Sequence, residues 1–154
     1  DDKKDIVHGG TNGKMHEISA CIGLANLHML DKTIQHRKKL SERYWKILSV
    51  LGERIKFQKI DKEAYNYSYF PIIFSSEKEC LAVYDSLMKI EILARRYFYP
   101  SMDSLKIYGS PETCEVSLDI SKRILCLPCH DGVSHDDVVE ISNEIIACLG
   151  SVDI

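Results

Sequence analysis

A glycine-rich turn that runs directly into an apolar helical pattern constrains this chain more than any other feature. The stretch is GGTNGKMHEISACIGL, residues 9–24, and its three leading glycines permit positive φ values or a close approach of the backbone to a ligand. Thr11 or Asn12 can cap the first helical turn, where unpaired N–H groups and the helix dipole favour an anion such as phosphate. Many such turns bind nothing, so the pattern alone predicts a turn and a helix and leaves the ligand open.

Periodic apolar residues predict a long helical segment first and a small sheet with packed helices after it. Apolar residues recur every three or four positions from Met15 to Leu51, and Gly52 is expected to end this helical segment. The aromatic and β-branched run 65–74 predicts a strand, in which Pro71 requires an edge or a bulge because it lacks an N–H. The further predicted elements are a helix capped by Ser76, a strand over 92–98, a helix from Ser110 to about Arg123, a strand over 125–128 and a last helix capped by Ser134.

Net charge and hydropathy limit the kinds of partner that this chain is expected to bind. The chain of 154 residues has a formal net charge of −3 and is 45% hydrophobic, which suits an ordinary folded domain and gives no reason to expect nucleic acid or an anionic membrane surface. No apolar run approaches the roughly 18 residues that a membrane span needs, and the charged start DDKKD does not match a signal peptide. We therefore expect a cytoplasmic protein whose six cysteines are reduced.

The run CLPCH, residues 126–130, matches the spacing of c-type haem attachment and, as C-x-x-C, of redox and zinc sites. Haem attachment requires export, for which the sequence shows no signal. Zinc requires two further ligands at suitable spacing, and only scattered Cys and His residues are present. We therefore predict no metal site.

The glycine turn and the segments after it resemble the DegT/DnrJ/StrS family, pyridoxal-phosphate-dependent aminotransferases that act on keto sugars of nucleotide sugars. The likeness lies in GTNGKM-x-E-I-x-A-x-I-G-L and, downstream, in Leu30-Asp31, Arg37, Tyr44, 69–72, 96–100 and 125–130. It implies that residues 1–14 are the remnant of a large-domain loop and that 15–154 are the small C-terminal domain of a fold-type I aminotransferase, with an α/β fold. The large domain with its cofactor lysine is expected to be absent from this chain.

The resemblance also implies which residues bind cofactor and substrate. Asn12 matches an asparagine that reaches the cofactor phosphate of the partner subunit, and Lys14 stands where the family has Lys or Arg. Arg96 and Tyr97 lie where family members often carry His-Tyr-x-Pro near the sugar nucleotide. Tyr97 and Phe98 occupy the His-Tyr positions here, which leaves the sugar open. An arginine suits a diphosphate because its planar guanidinium donates two parallel charge-assisted hydrogen bonds.

Non-catalytic roles stay open for the same residues: helix capping for Asn12, an interface ion pair for Lys14, and solvent-exposed packing for Arg96. No catalytic residue is assigned, because the Schiff-base lysine of the family has no counterpart in this chain.

By resemblance, the intact protein is a homodimer that uses pyridoxal 5′-phosphate. It is expected to transfer an amino group, with glutamate as the donor, to a keto-deoxysugar of a nucleotide sugar for surface polysaccharide synthesis. The chain alone is expected to be inactive and not to bind the cofactor. Two alternatives remain: a non-catalytic binding or dimerisation module that uses the small-residue helix, and a dehydratase relative with the same cofactor.

Overall fold

The computed structural model describes residues 13–105, 107 and 114–152. The chain forms two compact units, one ending at Lys32 and the other beginning at Thr33. The predicted division after residue 14 concerns the domains of a longer protein and stays a prediction. Asn12 and the predicted helix start at Ser110 lie outside the described residues.

The first unit contains helix α1, Glu17–Leu27, and none of its side chains is buried. His16 caps the helix, and its Nδ1 accepts a hydrogen bond from the Ile18 N–H at 3.3 Å. The predicted helical segment is interrupted before helix α2, Leu30–Leu48. The Met29 N–H bonds back to the Asn26 carbonyl at 2.9 Å, which is the tight closure of a final turn in a stretch where Asn and His are weak helix formers.

Helix α2 ends earlier than its apolar pattern suggests. A 3₁₀ segment, Ser49–Arg54, follows directly after Leu48, and Gly52 lies inside it with φ of 52°. The positive φ explains why a glycine stands at position 52, at the end of the helical segment as predicted. The α-helix itself ends at Leu48, four residues before Gly52. The α2 residues Leu40, Tyr44 and Leu48 are fully buried.

The second unit carries a three-stranded antiparallel sheet in the order β1-β2-β3. Its strands are β1 Ile55–Phe57, β2 Phe70–Phe74 and β3 Ile124–Leu127, and its further helices are α3 Glu77–Lys89, α4 Glu115–Arg123 and α5 His135–Val152. Alternate residues of β2, namely Phe70, Ile72 and Phe74, are buried in the core with the inner residues of α2, α3 and α5. The predicted α/β class, a small sheet with packed helices, is confirmed.

The strand predicted over 92–98 is wrong in extent. Only Arg95 pairs, as an isolated bridge to Cys126, in which the Arg95 N–H donates to the Cys126 carbonyl at 3.0 Å and the Cys126 N–H donates back at 2.8 Å. The aromatic run that follows has high β propensity. Residues 97 and 98 form a turn instead of continuing the pairing, so local propensity does not decide the structure here.

Pro71 lies in the central strand, one residue beyond the last pair that this strand forms with β1. Because Cys126 gives both its backbone hydrogen bonds to Arg95, its pairing with Pro71 is of the non-hydrogen-bonded kind. The nitrogen of Pro71 therefore faces the β1 side, where the last pair is Phe57 with Ile72. The missing N–H costs no ladder hydrogen bond, in agreement with the edge position predicted for a strand proline.

Glu91 ends helix α3 in a conformation that glycine usually provides. Its φ is 61°, and the next N–H, that of Ile92, donates to the Leu87 carbonyl at 2.9 Å, which is the hydrogen bond of a Schellman motif. We expect Glu91→Gly to raise the free energy of unfolding by up to about 1 kcal/mol, because glycine lacks the Cβ that strains this conformation. Urea denaturation measures the change. Glu91→Val is the control and should destabilise, and a Gly variant less stable than wild type would contradict the assignment.

Candidate functional site

The sheet has a helix-covered face and a second face, which we call the outer face. Cross-strand neighbours share a face, so the pairs Lys56–Ile73 and Pro71–Cys126 and the bridge from Cys126 to Arg95 place these residues side by side on the outer face. None of them belongs to the core cluster. The outer face is therefore the part of the sheet on which a site can form.

Two cavities lie at this face and share Ser68, Tyr69 and Cys126 in their walls. The first, of about 350 Å³, is mostly aromatic and is lined by Gln58, Tyr65, Ser68, Tyr69, Pro71, Tyr97, Phe98 and Cys126. The second, of about 450 Å³, is lined by Arg95 and His130, by Glu91 and Asp137, and by buried residues that include Val133 and Ile141. Both volumes fall in the range of small-molecule sites.

Aromatic rings form a wall of the smaller cavity, and one of them, Tyr69, also lines the larger cavity. The rings of Tyr69 and Tyr97 have centroids 5.3 Å apart, and those of Tyr97 and Phe98 are 4.6 Å apart in an edge-on arrangement. A hydrogen bond with Tyr97 raises the pKa of Tyr69 above its usual value. The Cζ atom of Arg95 lies 6.0 Å from the centroid of the Tyr97 ring, which places a cation beside this wall.

Arg96 points to the other side of the same segment. Its Nη2 donates to Glu77 Oε1 in the first turn of α3 at 3.1 Å and to the Lys122 carbonyl near the end of α4 at 2.9 Å. Its guanidinium carbon stands 3.7 Å from the centroid of the Tyr99 ring. The side chain is 15% exposed. Arg96 thus ties the segment to two helices within this chain.

The residues predicted for a site fall in different parts of the chain. Lys14 is an exposed residue of the first unit, Asn12 lies outside the described residues, and Tyr97 lies in the aromatic wall. Their assigned roles stay predictions, as does that of Arg96. The sequence also groups Arg95 with Arg96, Tyr97 and Tyr99 as a cluster in which an arginine could bind a diphosphate, but it assigns no role to Tyr69. Arg95 and Tyr97 are two apart and so share a face of an extended segment.

The CLPCH run is used for packing. Cys129 is buried, and its Sγ lies 3.6 Å from both the Ser41 Oγ and the Arg37 carbonyl. His130 is exposed, and its Nδ1 accepts the Gly132 N–H at 3.2 Å. Among residues 13–105, 107 and 114–152, no three His, Cys, Asp or Glu side chains stand together in a way that could hold a metal ion.

The chain belongs to the DegT/DnrJ/EryC1/StrS aminotransferase family, whose model matches residues 1–146. It is 29% identical over 154 residues to a dTDP-4-amino-4,6-dideoxy-D-glucose transaminase of Escherichia coli, in an alignment that covers 94% of this chain and 41% of that protein. The chain thus spans about two fifths of the length of this curated relative. The predicted family is confirmed.

Solved structures confirm the fold. The aminotransferase TlmJ from Streptoalloteichus hindustanus superposes with a TM-score of 0.82 at 19% identity, covering 96% of this chain and 40% of that one. Spr1654 from Streptococcus pneumoniae, in its PLP form, gives 0.77 at 21% identity, covering 96% and 39%. In the described part of the chain, no helix is long and apolar enough to cross a membrane.

The cysteines of the outer face and core are expected to react slowly with alkylating agents. Burial raises the pKa of the Cys126 thiol to about 11, and that of Cys80 to about 11, so roughly a hundredfold fewer of these thiols are ionised than in an exposed cysteine. Mass spectrometry after brief iodoacetamide treatment at neutral pH should find Cys21 and Cys114, which are exposed, modified first. The six should react alike after denaturation, and fast native labelling of Cys126 would contradict its burial.

Proposed function

We propose that this chain is the C-terminal portion of an aminotransferase that moves an amino group from glutamate to a keto sugar carried by a nucleoside diphosphate. The observation that carries the proposal is the family match over residues 1–146. The name of the Escherichia coli relative supports a dTDP-linked deoxysugar as substrate. A reaction of this kind belongs in the cytoplasm, and we propose surface polysaccharide as the destination of the amino sugar.

Pyridoxal phosphate supplies the electron sink for amino transfer when it is bound. Lys14 fits its phosphate chemically, since the ammonium group donates up to three hydrogen bonds and the side chain is exposed. We propose that Asn12 and Lys14 bind this phosphate. The lysine that holds the cofactor belongs, by the family pattern, to a portion of the protein outside this chain, so we propose that the chain alone is inactive and does not retain the cofactor.

The segment around Arg96 and Tyr97 is proposed as the substrate side of the site. Its support is geometric, because Tyr97 lines a cavity of about 350 Å³ together with Tyr69 and Phe98. Aromatic walls bind planar rings and exclude water, and a nearby guanidinium binds phosphate oxygens. A nucleoside diphosphate carries both kinds of group.

Helix α1 is proposed as a homodimer interface. Its residues Ile18, Ile22 and Leu24 are each more than half exposed. A Cβ added at Gly23 would meet no atom within 4 Å, so nothing in the described part of the chain itself requires a small residue there. Ile18 and Ile22 lie one turn apart on one side of the helix, and Leu24 lies on the other side. Exposed apolar side chains of this kind are typical of a surface that a second subunit covers.

The intact protein tests the proposed function. We expect it to purify with the visible absorption of bound pyridoxal phosphate and to convert a dTDP-keto-deoxysugar to the amino sugar when glutamate is present. Asn12→Ala is expected to weaken cofactor retention by roughly tenfold, because an amide that donates to a charged phosphate contributes about 1.5–3 kcal/mol. Asn26→Ala, on α1 with no assigned role, is the control. An intact protein without cofactor absorption and without amino transfer would refute the proposal.

A charge on α1 tests the dimer. Ile22→Glu places a carboxylate in the proposed interface, so light scattering of the intact protein should report a monomer where wild type gives a dimer. Val50→Glu is the matched control, since Val50 is also exposed and apolar but lies outside α1. A wild-type monomer, or an Ile22→Glu dimer as stable as wild type, would contradict the interface.

The exposed apolar face of α1 also supports the second candidate, a dimerisation module without catalysis. The same experiments separate the two, because a module predicts the dimer without the cofactor absorption. A dehydratase relative would show the absorption but release a sugar without a new amino group.

A further inference from the structure

The bridge between Arg95 and Cys126 fixes which side chains of residues 94–97 lie on each side of the sheet. Side chains alternate across an extended backbone, and Ala94 is buried among the core residues of the helix-covered side. Arg96 reaches α3 and α4 on that same side. Arg95 and Tyr97 therefore belong to the outer face, which agrees with the 6.0 Å between the Arg95 Cζ and the Tyr97 ring centroid.

Arg96 is engaged within the chain. One carboxylate, one backbone carbonyl and one aromatic ring contact its guanidinium. A diphosphate that took over Arg96 Nη2 would displace the Glu77 carboxylate and the Lys122 carbonyl. The loss of these two contacts offsets part of what the diphosphate would gain.

The environment of Arg95 differs from that of Arg96. The side chain is exposed, it lines the cavity of about 450 Å³, and among the described residues the structure gives it no ion pair. Glu91 and Asp137 also line that cavity, and their carboxylates repel an anion. Among the described residues that line it, Arg95 is the one Lys or Arg, so a phosphate there depends on Arg95 for its cationic partner.

We propose that Arg95, and not Arg96, binds the diphosphate of the nucleotide sugar beside the aromatic wall of Tyr69 and Tyr97. Arg96 is a structural anchor that holds the segment on α3 and α4. The inference rests on the proposed function and assigns its substrate contact to a different arginine. The aromatic wall then lies next to the phosphate, where it can stack on the base or the sugar of the same ligand.

The test is the affinity of the intact, cofactor-loaded protein for dTDP, measured by calorimetry. Arg95→Met is expected to weaken dTDP binding by roughly ten- to hundredfold, the loss typical of a charged hydrogen-bond donor, with the unfolding midpoint unchanged because the side chain is exposed. Arg95→Lys should recover part of the affinity. Lys56→Met, which removes another exposed cation of the outer face, is the matched control and should bind like wild type.

Arg96→Met should lower the unfolding midpoint, since it removes the contacts with Glu77, Lys122 and Tyr99. Arg96→Lys, which keeps the charge, covers the case in which the Met variant does not fold. Pyrophosphate and thymidine, titrated separately, distinguish the phosphate contact from the base contact, and Arg95→Met should weaken only the former.

Three outcomes would overturn the inference. The Arg95→Met variant could bind dTDP as tightly as wild type does. An Arg96 variant could lose dTDP binding while its unfolding midpoint stays unchanged, or the wild-type protein could fail to bind dTDP. The cofactor absorption of the same samples keeps the two proposals apart. If the protein shows the absorption but binds dTDP without Arg95, only this inference is refuted. If the protein shows neither the absorption nor amino transfer, the proposed function is refuted.

Discussion

The pair of backbone hydrogen bonds between Arg95 and Cys126 is the constraint on which the candidate site depends. It attaches the segment after α3 to strand β3, and it fixes which of two adjacent arginines faces outward. If the pairing shifted by one residue, Arg95 would lie on the helix-covered side, and Arg96 would lie on the outer face beside the aromatic wall. The same two bonds turn the pairing of Cys126 with Pro71 into the non-hydrogen-bonded kind, so that a proline is tolerated in the central strand. One pair of residues thus sets both the sheet register and the chemistry of the outer face.

The helix-covered side supplies the rigidity that this arrangement needs. Tyr44 stacks on Phe70 with centroids 4.8 Å apart and donates to the Pro128 carbonyl at 3.0 Å, which joins α2 to β2 and to the end of β3. Arg54 donates to Glu79 from two nitrogens, at 3.1 and 2.7 Å, and to the Leu149 carbonyl at 3.0 Å. Loss of such a partly buried ion pair costs up to about 3–5 kcal/mol, and less where one partner is as exposed as Arg54, at 28%.

Much of the fold could be predicted because local patterns and tertiary packing agree. The caps Ser76 and Ser134 accept or donate the hydrogen bonds expected of them, and the alternation in β2 places its large residues in the core. Prediction failed where tertiary contacts override propensity. The run after Arg95 has high β propensity, but residues 97 and 98 form a turn. The sequence indicated this segment as a candidate site, and it could not say which of the two arginines is exposed, because the residue type alone does not say which side of a strand is open.

A crystal structure of the intact protein with dTDP bound would test the central claim most directly. Our account predicts the diphosphate within hydrogen-bonding distance of the Arg95 guanidinium, next to the rings of Tyr69 and Tyr97, with Arg96 still donating to Glu77 and to the Lys122 carbonyl. A diphosphate held by Arg96, with those two contacts broken and Arg95 pointing to solvent, would contradict it.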